Sequence, residues 1–325
     1  MGANKGIIEG VTRMDEKVQK IRDNIKKVIV GKDEVIDHIL TALLAEGHVL
    51  LEDVPGTGKT VLAKSLARSL DMSFGRIQFT PDLLPSDITG LNYYNQKQGE
   101  FILRKGPVFT NILLADEINR ATPRTQSSLL ECMEESQVTI DGETRALESP
   151  FFVIATQNPI ETAGTYPLPE AQLDRFLMEL SMGYPTEEEE LFLMTRFLKQ
   201  NPLEELSAVC TKEEILHMRE SAKDIYVHPI LMEYMVQLVQ ETRKEEYAMN
   251  GVSPRGTLSF LRAVRAYAMV KGRQYVVPED IKELAIPVLA HRLVPMRSFS
   301  GGKSKKQVIR QILDKVPVPT EEWNR

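Results

Sequence analysis

The chain has 325 residues, 42% hydrophobic and 26% charged, which suits a globular protein with a filled core and exceeds what one ordinary domain needs. A formal net charge of −6 excludes a general basic field for nucleic acid and leaves room only for a local patch. Cys132 and Cys210 make no CxxC and no disulfide framework, and no apolar run approaches the roughly 18 residues of a membrane span.

The start, MGANKGIIEG, has no signal-peptide core, and Gly6 stands where a myristoylation signal wants Ser or Thr, so a cytoplasmic protein is expected. Residues 14–46 read as helical. Met14, Val18, Ile21, Ile25 and Val28 recur at steps of three and four, which places them on one helix face. Gly31 interrupts, and a second helix is expected from Asp33. Short apolar runs at 48–54, 111–116, 150–156 and 176–182, separated by longer helix-like segments, predict a parallel sheet covered by helices.

Two stretches break this alternation. Residues 86–108 hold Gly90, Gly99 and Gly106 among polar and aromatic residues, and 137–149 contain Asp141-Gly142, a hairpin turn signal. Both are expected as β-hairpin insertions. From Pro185 the strands are expected to stop. Thr186 before four glutamates suits an N-cap with an acidic first turn, and helical patterns follow near 186–199, 211–223, 229–245, 254–271 and 278–291. The expected organisation is an α/β unit over 1–184 and a helical unit over 185–325.

The strongest local signal is LLEDVPGTGKT, residues 50–60, where a buried strand runs through a glycine-rich turn into a helix. Gly56 and Gly58 let backbone N–H groups approach phosphate oxygens, and the helix N-terminus adds positive potential. Lys59 can reach β and γ phosphates, and Thr60 can place its hydroxyl on Mg²⁺. Pro55, Thr57 and Val61 complete the candidate loop. Asp53 departs from the usual pattern, which has glycine at the first loop position.

A P-loop that hydrolyses ATP needs a second strand ending in acids, and NILLADE supplies one. Asp116 would hold Mg²⁺ directly or through water, and Glu117 would polarise the attacking water as general base. The bland alternative is an acidic pair capping the next helix. A third strand, FFVIAT, ends in Gln157-Asn158-Pro159, where Asn158 can orient that water or simply make a turn. Arg175 and Arg255 are candidates to stabilise charge on the transferring phosphoryl group, or else surface ion-pair partners. Arg120 and Arg124 follow the acidic pair and rank lower.

VPGTGKT, LLADEINRATPRTQSSLLECMEE, ATQNPIETAGTYPLPEAQLDRF and SPRGTLSFLRAVRAYA resemble the MoxR family of AAA+ ATPases, over about residues 15–315. That family varies at the loop position of Asp53. The resemblance implies an α/β P-loop AAA+ core with a five-stranded parallel sheet, β-hairpin insertions and a following all-α lid. It implies that 86–108 is the helix-2 insert and 137–149 the hairpin before sensor 1. It makes Asn158 sensor 1, Arg175 an arginine finger reaching a neighbour's ATP, and Arg255 sensor 2. It places Val28 to Gly31, Val30 and Gly31 included, at the adenine. It further implies ATP and Mg²⁺ as cofactors, assembly into a ring (usually a hexamer), and a chaperone-like role in maturing, activating or loading client proteins. A von Willebrand factor A domain partner often accompanies that role.

Other features read blandly. The five histidines lack ligand-like spacing, and Lys303, Lys305 and Lys306 read as a solvated loop. Tyr93 and Tyr94 either grip a client in a ring pore or pack on the core. Three other functions stay open: a nucleic-acid motor, a metal-chelatase motor subunit and a non-hydrolysing nucleotide switch. Glu117, Asn158 and Arg175 together argue against the last.

Overall fold

A computed structural model describes residues 16–159, 164–198, 201–244, 248–295 and 304–319. Met14, Lys303 and the N-terminal residues bearing on targeting lie outside them. The chain opens with α1 over residues 16–26 and α2 (Asp33–Leu44). Then come β1 (Val49–Glu52), α3 (Lys59–Ser69) and β2 (Phe74–Gln78). A short α4 (Pro85–Thr89) leads into the hairpin β3 (Gly90–Asn95) and β4 (Glu100–Lys105). Next are β5 (Ile112–Asp116), α5 (Pro123–Glu135) and a second hairpin, β6 (Gln137–Ile140) and β7 (Glu143–Ala146). β8 (Phe152–Gln157), α6 (Glu170–Leu173) and β9 (Met178–Leu180) complete the core. The remainder is α7 (Glu187–Phe197), α8 (Lys212–Lys223), α9 (Pro229–Thr242), β10 (Ala248–Asn250), α10 (Pro254–Val270), α11 (Pro278–Leu289), β11 (Val294–Pro295) and α12 (Lys305–Lys315).

The main sheet is five-stranded and parallel, in the order β2-β5-β8-β1-β9. The middle strands β1, β5 and β8 are apolar until their last residues, Glu52, Asp116 and Gln157, each polar and half-buried. Both faces of these strands are covered, so their sequences read as unbroken apolar runs rather than alternations. Glu52 pairs in register with Gln157, and Gln78 with Asp116, so the polar ends collect along one edge. In open α/β sheets ligands bind beyond the carboxyl ends of the strands, and here the acids wait at that edge.

Sequence reading finds four of the five strands. β2 escapes it because FGRIQ lies at the sheet edge with only Ile77 buried, so no apolar run marks it. Two cores flank the sheet. Val49, Leu51, Ile112, Leu114, Phe152 and Ile154 face α1, α2, α3 and the later helices. Leu50, Leu113, Ala115, Val153 and Ala155 face α5 and the hairpins.

Both expected hairpins form. Asp141 and Gly142 have φ of +49° and +84°, the pair of positive values that a two-residue turn of this hand requires. The first hairpin needs glycine at its base: a Cβ on Gly90 would stand 2.3 Å from the Arg104 carbonyl oxygen, and one on Gly106 2.2 Å from that of Ile88. Tyr93 and Tyr94 are exposed rather than packed on the core, and Tyr94 meets Phe101 edge-on at 5.3 Å across the hairpin.

The segment after β9 is helical except for one short antiparallel pair, β10 with β11, so strands do not stop completely at Pro185. Lys305 and Lys306 begin α12 rather than sitting in a solvated loop. Ser304 caps that helix, and Lys306 reaches Glu179 at 3.6 Å.

Candidate nucleotide site

β1 delivers the chain into the loop 53–58, and α3 begins at Lys59. Gly56 and Gly58 have φ of +87° and +92°, the left-handed region that glycine alone enters freely. A Cβ on Gly56 would meet nothing within 4 Å, so the glycine leaves space for a ligand and not for packing.

The loop borders a cleft of about 400 Å³. Pro55, Gly56, Gly58, Lys59, Thr60 and Val61 line one side, and Asp116, Glu117 and Asn158 the other. Thr57 sits within the loop and donates to the Val54 carbonyl at 3.4 Å. Lys59 Nζ donates to the carbonyls of Asp53 and Val54 at 3.0 and 3.1 Å. Burial lowers the Lys59 pKa, against the opposing pull of Asp53, Asp116 and Glu117. A partly desolvated ammonium held only by carbonyls has most to gain from phosphate oxygens.

The acidic strand end is held by Arg120 and by three residues that sequence reading missed, Thr156, Arg76 and Gln78. Thr156 Oγ1 donates to Asp116 Oδ1 at 2.7 Å and accepts from the Glu117 backbone N–H at 2.8 Å. Arg76 reaches the other Asp116 oxygen at 2.7 Å. Gln78 donates to Glu117 Oε2 at 2.7 Å, and Arg120 lies 3.0 Å from the same oxygen. Glu117 adopts φ +57°, a strained value for a non-glycine residue that costs of order 1–3 kcal/mol, at the turn where its side chain lines the cleft. Arg76 and Gln78 belong to the edge strand and carry no motif. Thr156 was visible only as one more strand residue.

Asp53 also gains a reason. Its buried carboxylate accepts from Ser181 Oγ at 2.8 Å and from the backbone N–H groups of Met182 and Gly183. The residue that breaks the glycine pattern therefore ties the loop to the segment between β9 and α7.

The remaining expected residues lie outside that lining. Val30 is half-buried, and Gly31, at φ +69°, lies against the Glu189 side chain of α7. Arg175 and Arg255 share one carboxylate: Glu134 Oε2 is 3.1 Å from Arg175 Nε, and Oε1 is 2.9 Å from Arg255 Nη1. Both arginines thus stand together at the end of α5, and in this chain both are ion-paired.

The donor set suits a magnesium nucleotide. Among the described residues no group of three His, Cys, Asp or Glu side chains is placed to hold a metal. One hydroxyl, Thr60, and one carboxylate, Asp116, match a cation that takes most of its ligands from phosphate and water, as Mg²⁺ does.

Comparison with known proteins agrees with this geometry. Residues 48–178 match the ATPase family associated with various cellular activities (AAA), and residues 240–312 match an AAA lid domain. The uncharacterized protein YeaC of Bacillus subtilis is 49% identical, over 93% of this chain and 95% of that protein. Chaperone MoxR1 of Mycobacterium tuberculosis is 43% identical, over 98% and 86% respectively. Protein MoxR of Methylorubrum extorquens is 31% identical, over 95% and 97%. A crystal structure from Cytophaga hutchinsonii, described as a candidate ATPase, superposes with a TM-score of 0.91 at 41% identity, covering 98% of this chain and all of that one.

Proposed function

This chain belongs to the MoxR family of AAA+ ATPases and hydrolyses ATP, and from that premise we propose that the cleft between the 53–60 loop and Asp116-Glu117 is the hydrolytic site of a ring motor acting on protein clients. The observation that carries the reading is the meeting, in one cleft, of Lys59, Thr60, Asp116, Glu117 and Asn158 from three adjacent strand ends.

The loop amides and Lys59 bind the β and γ phosphates of ATP. Thr60 and Asp116 would hold Mg²⁺, which would neutralise phosphate charge. Glu117 accepts a proton from the attacking water, with Gln78 and Arg120 holding the carboxylate in place. Asn158 orients the water as sensor 1. Thr156 fixes Asp116 and Glu117 relative to each other. Val30 and Gly31 border the adenine.

Arg175 is the finger for a neighbouring subunit's ATP, and Arg255 is sensor 2. Their shared Glu134 supports one further step: assembly releases both from that carboxylate, and because Arg255 starts α10 the release is coupled to the lid. The chain divides into a nucleotide-binding unit, 1–184, and a lid, 185–325. Exposed apolar residues on α7 and at its C-cap, Leu191, Met194 and Leu198 at 66%, 69% and 81%, support burial of that helix in a ring, hexameric by family resemblance. Tyr94 and Phe101, 54% and 73% exposed on the insert hairpin, are the client-gripping surface. A chaperone-like role, a von Willebrand factor A domain partner and a cytoplasmic location complete the reading. No helix among the described residues is long and apolar enough to cross a membrane.

The test is nucleotide binding and turnover in Lys59→Ala and in the hairpin double variant Tyr94→Ser/Phe101→Ser. Lys59→Ala is expected to lose nucleotide binding. The hairpin variant is expected to keep basal turnover and lose stimulation by client protein. ATP turnover at the wild-type rate in Lys59→Ala would refute the site.

A further inference from the structure

A second charged pocket lies at the opposite end of the sheet from the nucleotide cleft. Leu44, the last residue of α2, and Ala45 and Glu46 after it form one wall, just before the N-terminal end of β1. α8 contributes Arg219, Ala222 and Lys223, and α10 contributes Arg262 and Arg265. Four cations therefore face one acid. That acid is already engaged, since Glu46 Oε1 lies 3.1 Å from Lys223 Nζ.

Arg219 is the telling residue. It is 6% exposed, and its Nε donates to the Leu43 carbonyl at 2.9 Å. Its Nη2 is buried with no hydrogen-bond partner among the described residues. Burying a guanidinium without satisfying it is costly, and desolvation lowers its pKa to about 10. The other guanidiniums keep their own anchors: Arg265 Nε donates to the Ile225 carbonyl at 3.2 Å, and Arg262 Nη2 to Ser259 Oγ at 3.4 Å. Three arginines are thus set around one small space lined by a single carboxylate, Glu46, that Lys223 already engages.

The space between these side chains is small, about 40 Å³. Guanidinium forks match phosphate geometry, and with Lys223 also paired to Glu220 at 2.7 Å an excess of two positive charges remains, which favours a dianion over a single carboxylate. We propose that this pocket is a phosphate site, taking inorganic phosphate or the phosphate group of a monoester, with Arg219 at its floor and Arg262, Arg265 and Lys223 around its mouth. The site is separate from the P-loop, because the two lie at opposite ends of β1.

Titration calorimetry on the full chain tests it, in a Lys59→Ala background so that the P-loop does not contribute. Inorganic phosphate is expected to bind at one site per chain. Binding should weaken about tenfold or more when Arg219→Gln or Arg265→Gln is added. Arg265 is only half-buried, so its variant keeps the test valid if Arg219→Gln fails to fold. Phenyl phosphate separates the sources. Binding of both probes supports a monoester ligand, and binding of inorganic phosphate alone supports the free ion. No binding of either probe, or binding unchanged in Arg265→Gln, overturns the proposal.

Discussion

At the scale of single residues, the account rests on Glu117 and on what holds it. Glu117→Gln keeps the shape and removes the base, so nucleotide binding should persist while turnover falls by about 100-fold or more, read by steady-state ATPase rate. Thr156→Val tests the support. It deletes the donor to Asp116 and the acceptor for the Glu117 amide. Turnover should fall about tenfold with little change in nucleotide affinity, and unchanged turnover would mean the bridge is structural only. That Lys59, Thr60, Asp116 and Glu117 meet in one cleft was legible, because they sit in contiguous motifs. Thr156, Arg76, Gln78 and Glu134 were not, because each matters through a contact between segments about 40 or more residues apart in sequence.

Among elements, one joint between core and lid is a largely buried ion pair. Arg292, 2% exposed in its side chain, pairs with Asp174 at 2.7 Å and donates to the carbonyls of Phe176 and Leu177. Arg292→Met leaves those acceptors buried and should cost about 3–5 kcal/mol, measured by denaturant unfolding.

His48 begins the run into β1 and shows a second vulnerability. Its Nε2–H donates to the Met133 carbonyl at 3.0 Å, and its Nδ1 accepts from the Val153 amide at 3.0 Å. A second ring proton would face that amide. Burial lowers the pKa to about 4, so below pH 6.5 the unfolded chain binds a proton that the folded chain refuses. Stability should fall as pH drops from 6.5 towards 4, by about 3 kcal/mol from this residue, and His48→Gln should flatten that slope.

The helical segments were largely readable, and Thr186, expected as an N-cap, accepts from an amide three residues on; Thr211 and Ser253 cap in the same way, though no sequence signal singled them out. β2 was not, because an edge strand need not be apolar. The Asp53 tie to Met182 and Gly183 was not, because it joins segments about 130 residues apart.

At the scale of the whole molecule, the proposal makes the active site a shared property of neighbours. Arg175→Ala should stop turnover, since its guanidinium is assigned to the next subunit's ATP. Mixing Arg175→Ala with Lys59→Ala should restore part of the activity, because some interfaces then combine an intact P-loop with an intact finger. No recovery on mixing, with both variants folded, would place Arg175 outside the trans role.

The most direct measurement is ATPase rate together with particle mass, in Mg-ATP, for wild type and Glu117→Gln. The account predicts turnover in wild type and, in Glu117→Gln, a nucleotide-dependent ring that binds ATP without hydrolysing it. Wild-type turnover in Glu117→Gln, or a particle that stays monomeric in both proteins while wild type turns over, would contradict it.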